Sequence, residues 1–118
     1  MSVDKSVIAM LREFQEEGKP DFIKELFDLF SSLTPSTFAK IEKALEKGDL
    51  PTVAKAGHTL KSQAGNLGAQ RLSILSGELE LLARSESPSM DRIVALFETI
   101  RKEYDDVERE LRAILVVG

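Results

Sequence analysis

The sequence predicts an all-α fold: an antiparallel up-down four-helix bundle with an additional N-terminal helix packed against it. Three observations lead there. Apolar residues recur at the three- and four-residue spacings of a helix face through nearly the whole chain. No segment alternates strictly between apolar and polar residues, so strand signals are almost absent. Proline and glycine divide the helical pattern into segments of bundle length.

The first segment, over 2–17, carries Val7, Leu11 and Phe14 on one stripe, with Ile8 and Met10 beside it. Ser2 or Asp4 can cap it, and Gly18 is a natural stop. The second, over 20–47, opens with Pro20 and Asp21, both suited to a first turn. It bears two apolar stripes, Phe22-Leu26-Leu29-Leu33 and Ile23-Phe27-Phe30, so it needs cover on two sides, and the first helix is the obvious cover for one. Pro35 should kink or split it near Leu33-Thr34, after which Phe38, Ile41 and Leu45 resume the pattern up to Gly48.

The third segment, over 51–66, has Asp49 or Leu50 as its cap and Pro51 just inside. Asn66-Leu67-Gly68 is a turn signal, and the fourth segment, over 69–85, follows at once with Leu72, Leu75, Leu79 and Leu82. So short a connection implies an antiparallel helix hairpin, with Ser76 and Gly77 at about the level of His58. A polar break over 85–89 leads to the fifth segment, over 88–115, capped by Ser87 or Ser89. Its Ile93, Phe97, Ile100, Tyr104, Val107, Leu111 and Ile114 alternate spacings of four and three, the seam of left-handed bundle packing. The 118 residues read as one domain, 1–118, long enough to bury a core.

Composition narrows the function. A net charge of -4 argues against a general nucleic-acid binder, and no apolar run approaches membrane-spanning length. The absence of cysteine removes thiol chemistry and suits a reducing compartment, so a soluble cytoplasmic protein is expected. No glycine loop of the phosphate-cradling kind is present, and a single histidine leaves zinc or di-iron sites without ligands. A Ser-His-Asp arrangement would need a carboxylate to orient His58, whose own helix face offers lysines instead.

That histidine is the residue to explain. On a helical wheel, Val53, Ala56, Leu60, Ala64 and Leu67 form one stripe and His58 lies roughly opposite, facing solvent. Ala54 and Ser62 sit one turn away, Gly65 two turns on, and Lys55 and Lys61 flank the ring. One reading is a chance surface histidine. Another is a nucleophile, since histidine is the side chain whose neutral, nucleophilic form is populated near neutral pH. Small neighbours would let a partner approach, and the lysines would favour the charge of an attached phosphoryl group.

The stretch His58-Thr-Leu-Lys-Ser-Gln-Ala-Gly-Asn-Leu-Gly-Ala69, continuing to Leu72, Leu75 and Leu79-Glu80, resembles the signature of histidine-containing phosphotransfer (HPt) domains of two-component phosphorelays. Pro20-Asp21-Phe22-Ile23 with Leu26, Leu29 and Phe30, and Ala44-Leu45 to Gly48-Asp49, also look like that family. The resemblance implies a phosphorelay signalling intermediate. His58 would accept a phosphoryl group from a phospho-aspartyl receiver domain, through Nε2, and pass it to another receiver. Lys61 would be the phosphate neighbour. Ala54, Lys55, Ser62, Gly65, Ile8 and Arg84 would belong to the docking surface, with Leu11 a weaker member. The implied partners are response-regulator receivers and a hybrid sensor histidine kinase, with no nucleic acid and no membrane, and the protein itself a monomer. No cofactor of its own is implied, because the receiver brings the magnesium ion and the acidic pocket. Such a chain is a carrier that depends on its partner's active site, not a self-sufficient enzyme.

Two positions depart from the family pattern. Ser62 stands where glycine is usual, four residues after the histidine, and Gln63 replaces a usually small residue. Ser62 keeps a second reading open, a receiver-docking helical module that carries no phosphate. The long seam of the last helix suggests a third, a plain helical scaffold. The start at Met1 and the single-domain length favour a free-standing protein.

Overall fold

The structure, a computed structural model, describes residues 22–117 together with Ser6 and Ala9, both helical. Four helices make up the continuous part: α1 (Phe22–Lys47), α2 (Leu50–Asn66), α3 (Gln70–Ala83) and α4 (Met90–Val117). Each packs on its sequence neighbour and α4 closes against α1, the cyclic order of an up-down bundle. There is no strand among the described residues. Apart from Ser6 and Ala9, the expected N-terminal helix, with Ile8 and Leu11, lies outside the described residues.

The α4 seam is buried as its spacing requires: Ile93, Ile100, Val107 and Leu111 are inaccessible, and Phe97 and Tyr104 nearly so. Opposite it, Phe27, Phe30, Phe38 and Ile41 fill the α1 side. Aromatic rings knit this α1–α4 seam, with Phe30 and Phe38 at 5.2 and 5.3 Å from Tyr104 and Phe38 at 5.6 Å from Phe97. Of the two apolar α1 stripes, the one through Phe27 and Phe30 faces the core. Leu29 and Leu33 of the other remain exposed among the described residues.

Pro35 does not split α1, which runs through it as one helix. The ring removes the donor that would bond the Ser31 carbonyl. The helix persists because Phe30 and Thr34 before the proline and Phe38 and Ile41 after it are all anchored in the core. Tertiary burial on both flanks outweighs one missing hydrogen bond.

The helix ends follow their residues. α1 and α2 close the same way, with Gly48 and Gly68 in the left-handed region at φ 69° and 73°. Around Gly68, the Ala69 N–H donates to the Ala64 carbonyl at 3.0 Å and the Gly68 N–H to Gly65 at 3.2 Å. Asp49 caps α2: its carboxylate accepts from the Thr52 N–H at 3.3 Å and the Thr52 hydroxyl at 2.6 Å. Ser89 caps α4 by accepting from the Arg92 N–H at 3.3 Å. Arg71 and the buried Glu103 join α3 to α4 at 3.5 Å, and Arg101 pairs with Glu42 between α4 and α1.

Candidate functional site

The α2–α3 hairpin builds the site. The stripe Val53, Ala56, Leu60, Ala64 and Leu67 is buried and turns the opposite face of α2 outward. The His58 side chain is 63% exposed there. Gly57, next to it, brings the two helices into backbone contact: a Cβ at Gly57 would stand 2.9 Å from the Ser76 carbonyl oxygen and 3.1 Å from the Glu80 nitrogen. The buried Ser76 hydroxyl turns back on its own helix, donating to the Leu72 carbonyl at 2.8 Å.

This close approach places a carboxylate beside the imidazole. His58 Nδ1 lies 3.2 Å from Glu80 Oε1. An ionised carboxylate only accepts, so Nδ1 is the donor in this bond, and in the neutral ring the lone pair then falls on Nε2. The other Glu80 oxygen, Oε2, is 3.0 Å from Arg84 Nη2. Glu80 itself is only 13% exposed, whereas Arg84 is 61% exposed. The result is a chain of three groups, His58–Glu80–Arg84, running from the exposed ring along α3.

Glu80 is the site residue that sequence reasoning missed. The helix that bears His58 carries no carboxylate between Leu50 and Asn66, and the one beside the ring comes from α3. Ser76 does stand at the close approach, its carbonyl against Gly57 beside His58, while Gly77 lies one turn away, against Lys61. The signal was available in the tight turn. Helices of equal rise leaving Ala69 in opposite directions bring together residues equally far from it. His58 and Glu80 are each eleven positions from Ala69. The same reflection pairs Lys61 with Gly77 and Gly65 with Ser73, and both pairs meet. A Cβ on Gly77 would lie 3.4 Å from Lys61 Cδ, and one on Gly65 would lie 3.6 Å from Ser73 Oγ. The Ser73 hydroxyl also donates to the Lys61 carbonyl at 2.8 Å.

The other expected site residues divide. Lys55, Lys61, Ser62 and Gly65 are exposed on α2, and Arg84 is exposed at the end of α3. Ala54 is not on this surface. It is 2% exposed, because the close packing of α3 on α2 closes over the turn before His58. Ile8 lies outside the described residues. Gln63 sits half-buried at the boundary with α1, beside a cavity of about 80 Å³ lined by Leu26, Leu29, Phe30, Asn66 and Leu67. Its Oε1 is buried there without a partner among the described residues.

The glycines beside His58 therefore serve different ends. The space at Gly57 is filled by the backbone of α3. Gly65 meets only one hydroxyl and leaves open surface beyond Lys61 and Ser62. Among the described residues no group of three His, Asp or Glu side chains is placed to hold a metal ion. None of the helices there is long and apolar enough to cross a membrane.

Fold and site together define a helical-bundle module that displays one carboxylate-held histidine on an antiparallel hairpin. The chain belongs to the Hpt domain family, which matches residues 25–110. It is 34% identical over 58 residues to the phosphorelay intermediate protein YPD1 of Candida albicans, a match covering 49% of this chain and 32% of that protein. It is 30% identical over 70 residues to multistep phosphorelay regulator 1 of Schizosaccharomyces pombe, covering 59% of this chain and 24% of that one. The chain thus spans a third or less of the length of these curated relatives. No solved structure matches it.

Proposed function

We propose that the chain is a phosphorelay intermediate in which Nε2 of His58 accepts a phosphoryl group from a phospho-aspartyl receiver domain and returns it to a second receiver. The observation that carries this reading is an exposed imidazole whose Nδ1 is occupied by Glu80, leaving Nε2 free. In the forward step, the Nε2 lone pair bonds to phosphorus while the bond from phosphorus to the aspartyl oxygen breaks. The aspartate leaves as its carboxylate, and the ring keeps its Nδ1 proton and becomes cationic. No proton has to be removed by this chain.

The division of labour follows. The carrier supplies the nucleophile, with Lys61 near enough on the same helix to meet the phosphoryl oxygens. The receiver supplies the acidic pocket and its magnesium ion. The chain has no cofactor of its own in this scheme and relies on its partner's active site. Lys55, Ser62, Gly65 and Arg84 supply the surrounding docking surface. The names of the relatives, a phosphorelay intermediate and a phosphorelay regulator, support this assignment. A sensor kinase upstream and a monomeric carrier in the cytoplasm complete the proposal.

The test is incubation with a receiver domain carrying labelled phosphate. Label should pass to the wild-type chain and not to His58→Gln. Binding without transfer would replace this reading with that of a docking module, and neither binding nor transfer would leave a helical scaffold.

A further inference from the structure

We propose that the groove between α1 and α2 beside His58, flanked by Lys40 and Lys55, seats an acidic side chain of the docked receiver domain and so selects which receivers exchange phosphate with this chain. The proposal rests on the exchange with receivers proposed for His58. It adds Lys40, on a different helix from the histidine, as a residue that determines specificity.

Place is the first observation. Successive residues of a helix turn by about 100°, so Lys55 and Thr59 lie roughly 60° and 100° from His58 on one side of α2, and Lys61 about 60° on the other. The Lys61 side is the α3 side, where its stem lies beside Gly77. The opposite side opens into a groove of about 250 Å³, lined by Thr37 and Lys40 of α1 and by Thr52, Lys55, Ala56 and Thr59 of α2. A partner seated over the exposed ring meets this groove at its edge.

Charge is the second. Both ionisable residues of the groove are lysines, and no Asp or Glu lines it. Among the described residues neither lysine is in an ion pair, and the bases that are paired are His58 and arginines. Asp49, just before α2, is taken up by the Thr52 hydroxyl and N–H at the helix cap. The groove between α1 and α4 differs: Glu42, Arg101 and Asp105 line it together, and Arg101 already pairs with Glu42. In a chain of net charge -4, two lysines thus face one groove with no counter-charge on its walls.

The hydroxyls narrow the occupant. Thr37 donates to the Leu33 carbonyl and Thr59 to the Lys55 carbonyl, each at 3.2 Å, and Thr52 donates to Asp49 at 2.6 Å. The donors left to a guest are the two ammonium groups. That set suits one carboxylate, which only accepts and has no proton to place. The receiver brings such groups, since the pocket that holds its phospho-aspartate and magnesium ion is acidic. A charge pair at the edge of an interface acts on encounter and register, not on the chemical step.

The experiment titrates a receiver domain onto the full chain and follows label from its phosphorylated form. Lys40→Glu should weaken binding about tenfold at low salt, mostly through slower association. The gap from the wild type should shrink as salt is raised, because exposed charges are screened. In transfer the same variant should raise KM and leave kcat within about twofold. Lys40→Arg keeps the charge and should behave as the wild type. Replacing the acidic residues that rim the receiver's pocket with alanine, one at a time, should abolish the difference between wild type and Lys40→Glu at one of them.

Equal affinity of Lys40→Glu and wild type, a gap that persists at high salt, or a loss in kcat with KM unchanged would overturn the proposal. So would a loss in Lys40→Arg as large as in Lys40→Glu, or a difference that survives every replacement on the receiver. Failure of the acceptor reading looks different: the wild type binds the receiver and takes no label, and the titration alone then decides on Lys40.

Discussion

Gly57 and Ser76 touch through their backbones: a methyl group on the glycine would meet the serine carbonyl oxygen at 2.9 Å. The atom it would meet is backbone and cannot rotate aside, so the helices would have to part. Gly57→Ala should therefore destabilise the bundle by about 1–3 kcal/mol through overpacking, outweighing the roughly 1 kcal/mol that alanine contributes over glycine within a helix. Gly65→Ala is the control. Its new methyl meets only Ser73 Oγ at 3.6 Å, and it should stabilise by about 0.5–1 kcal/mol. Urea denaturation of both variants checks the pair, and equal shifts of the same sign would contradict the close contact.

Lys61 lies on the outer face with its stem beside Gly77. Lys61→Ala should slow phosphoryl transfer roughly three- to tenfold, the effect of losing one solvent-screened charged contact. Circular dichroism should show the helical content intact. Unfolding of this variant would mean that the lysine stem holds the hairpin together and that its role is structural.

Asp49 carries the N-cap of α2. Its hydrogen bond from the Thr52 hydroxyl, and then that from the Thr52 N–H, holds its carboxyl below the ordinary value of 3.8. A depressed folded-state value means stability that is present above the ordinary value and lost as pH falls through the folded one. Wild type should be more stable than Asp49→Ala at neutral pH. Melting curves taken down to about pH 2 should show the two converging. A constant gap at all pH values would mean that the cap acts without its charge.

Tyr104 is the chain's one tyrosine, so its ionisation can be read directly from ultraviolet absorbance. Burial, helped by the nearby Glu108 carboxylate, pushes its phenol above the ordinary value of 10.0. The folded state then holds the proton longer than the unfolded state, so stability falls as pH rises through the ordinary value. Phenolate should appear above 10.0 and together with loss of helix. Titration at the ordinary value in a folded protein would place the hydroxyl in water.

The bundle was legible because its strongest signals are periodic. The seam from Ile93 to Leu111 and the 53–67 stripe are buried as their spacings require, with Ile114 partly buried at the end. The 20–47 segment is one helix as expected, and Pro35 does not split it because the anchors on either side are tertiary and do not show in a local pattern. The site was legible only along one helix. His58, Lys61 and Ser62 face solvent as the wheel implies. Ala54 does not, because a wheel describes a helix alone and α3 covers that position. Glu80 was hidden for the same reason, since its place beside His58 is a property of the turn at Gly68.

That turn has a consequence for how the chain can change length. One residue added between Leu67 and Ala69 would have to break its backbone bonds or turn α3 by about 100° and slide it about 1.5 Å. Glu80 would then leave the imidazole although no site residue had been altered. The polar stretch at 85–89 joins α3 to α4 beyond Arg84, so lengthening it leaves the pairing across Ala69 as it is. The protein is thus intolerant of insertion at its tightest and most remote corner, and permissive in the loop that lies beside its chemistry.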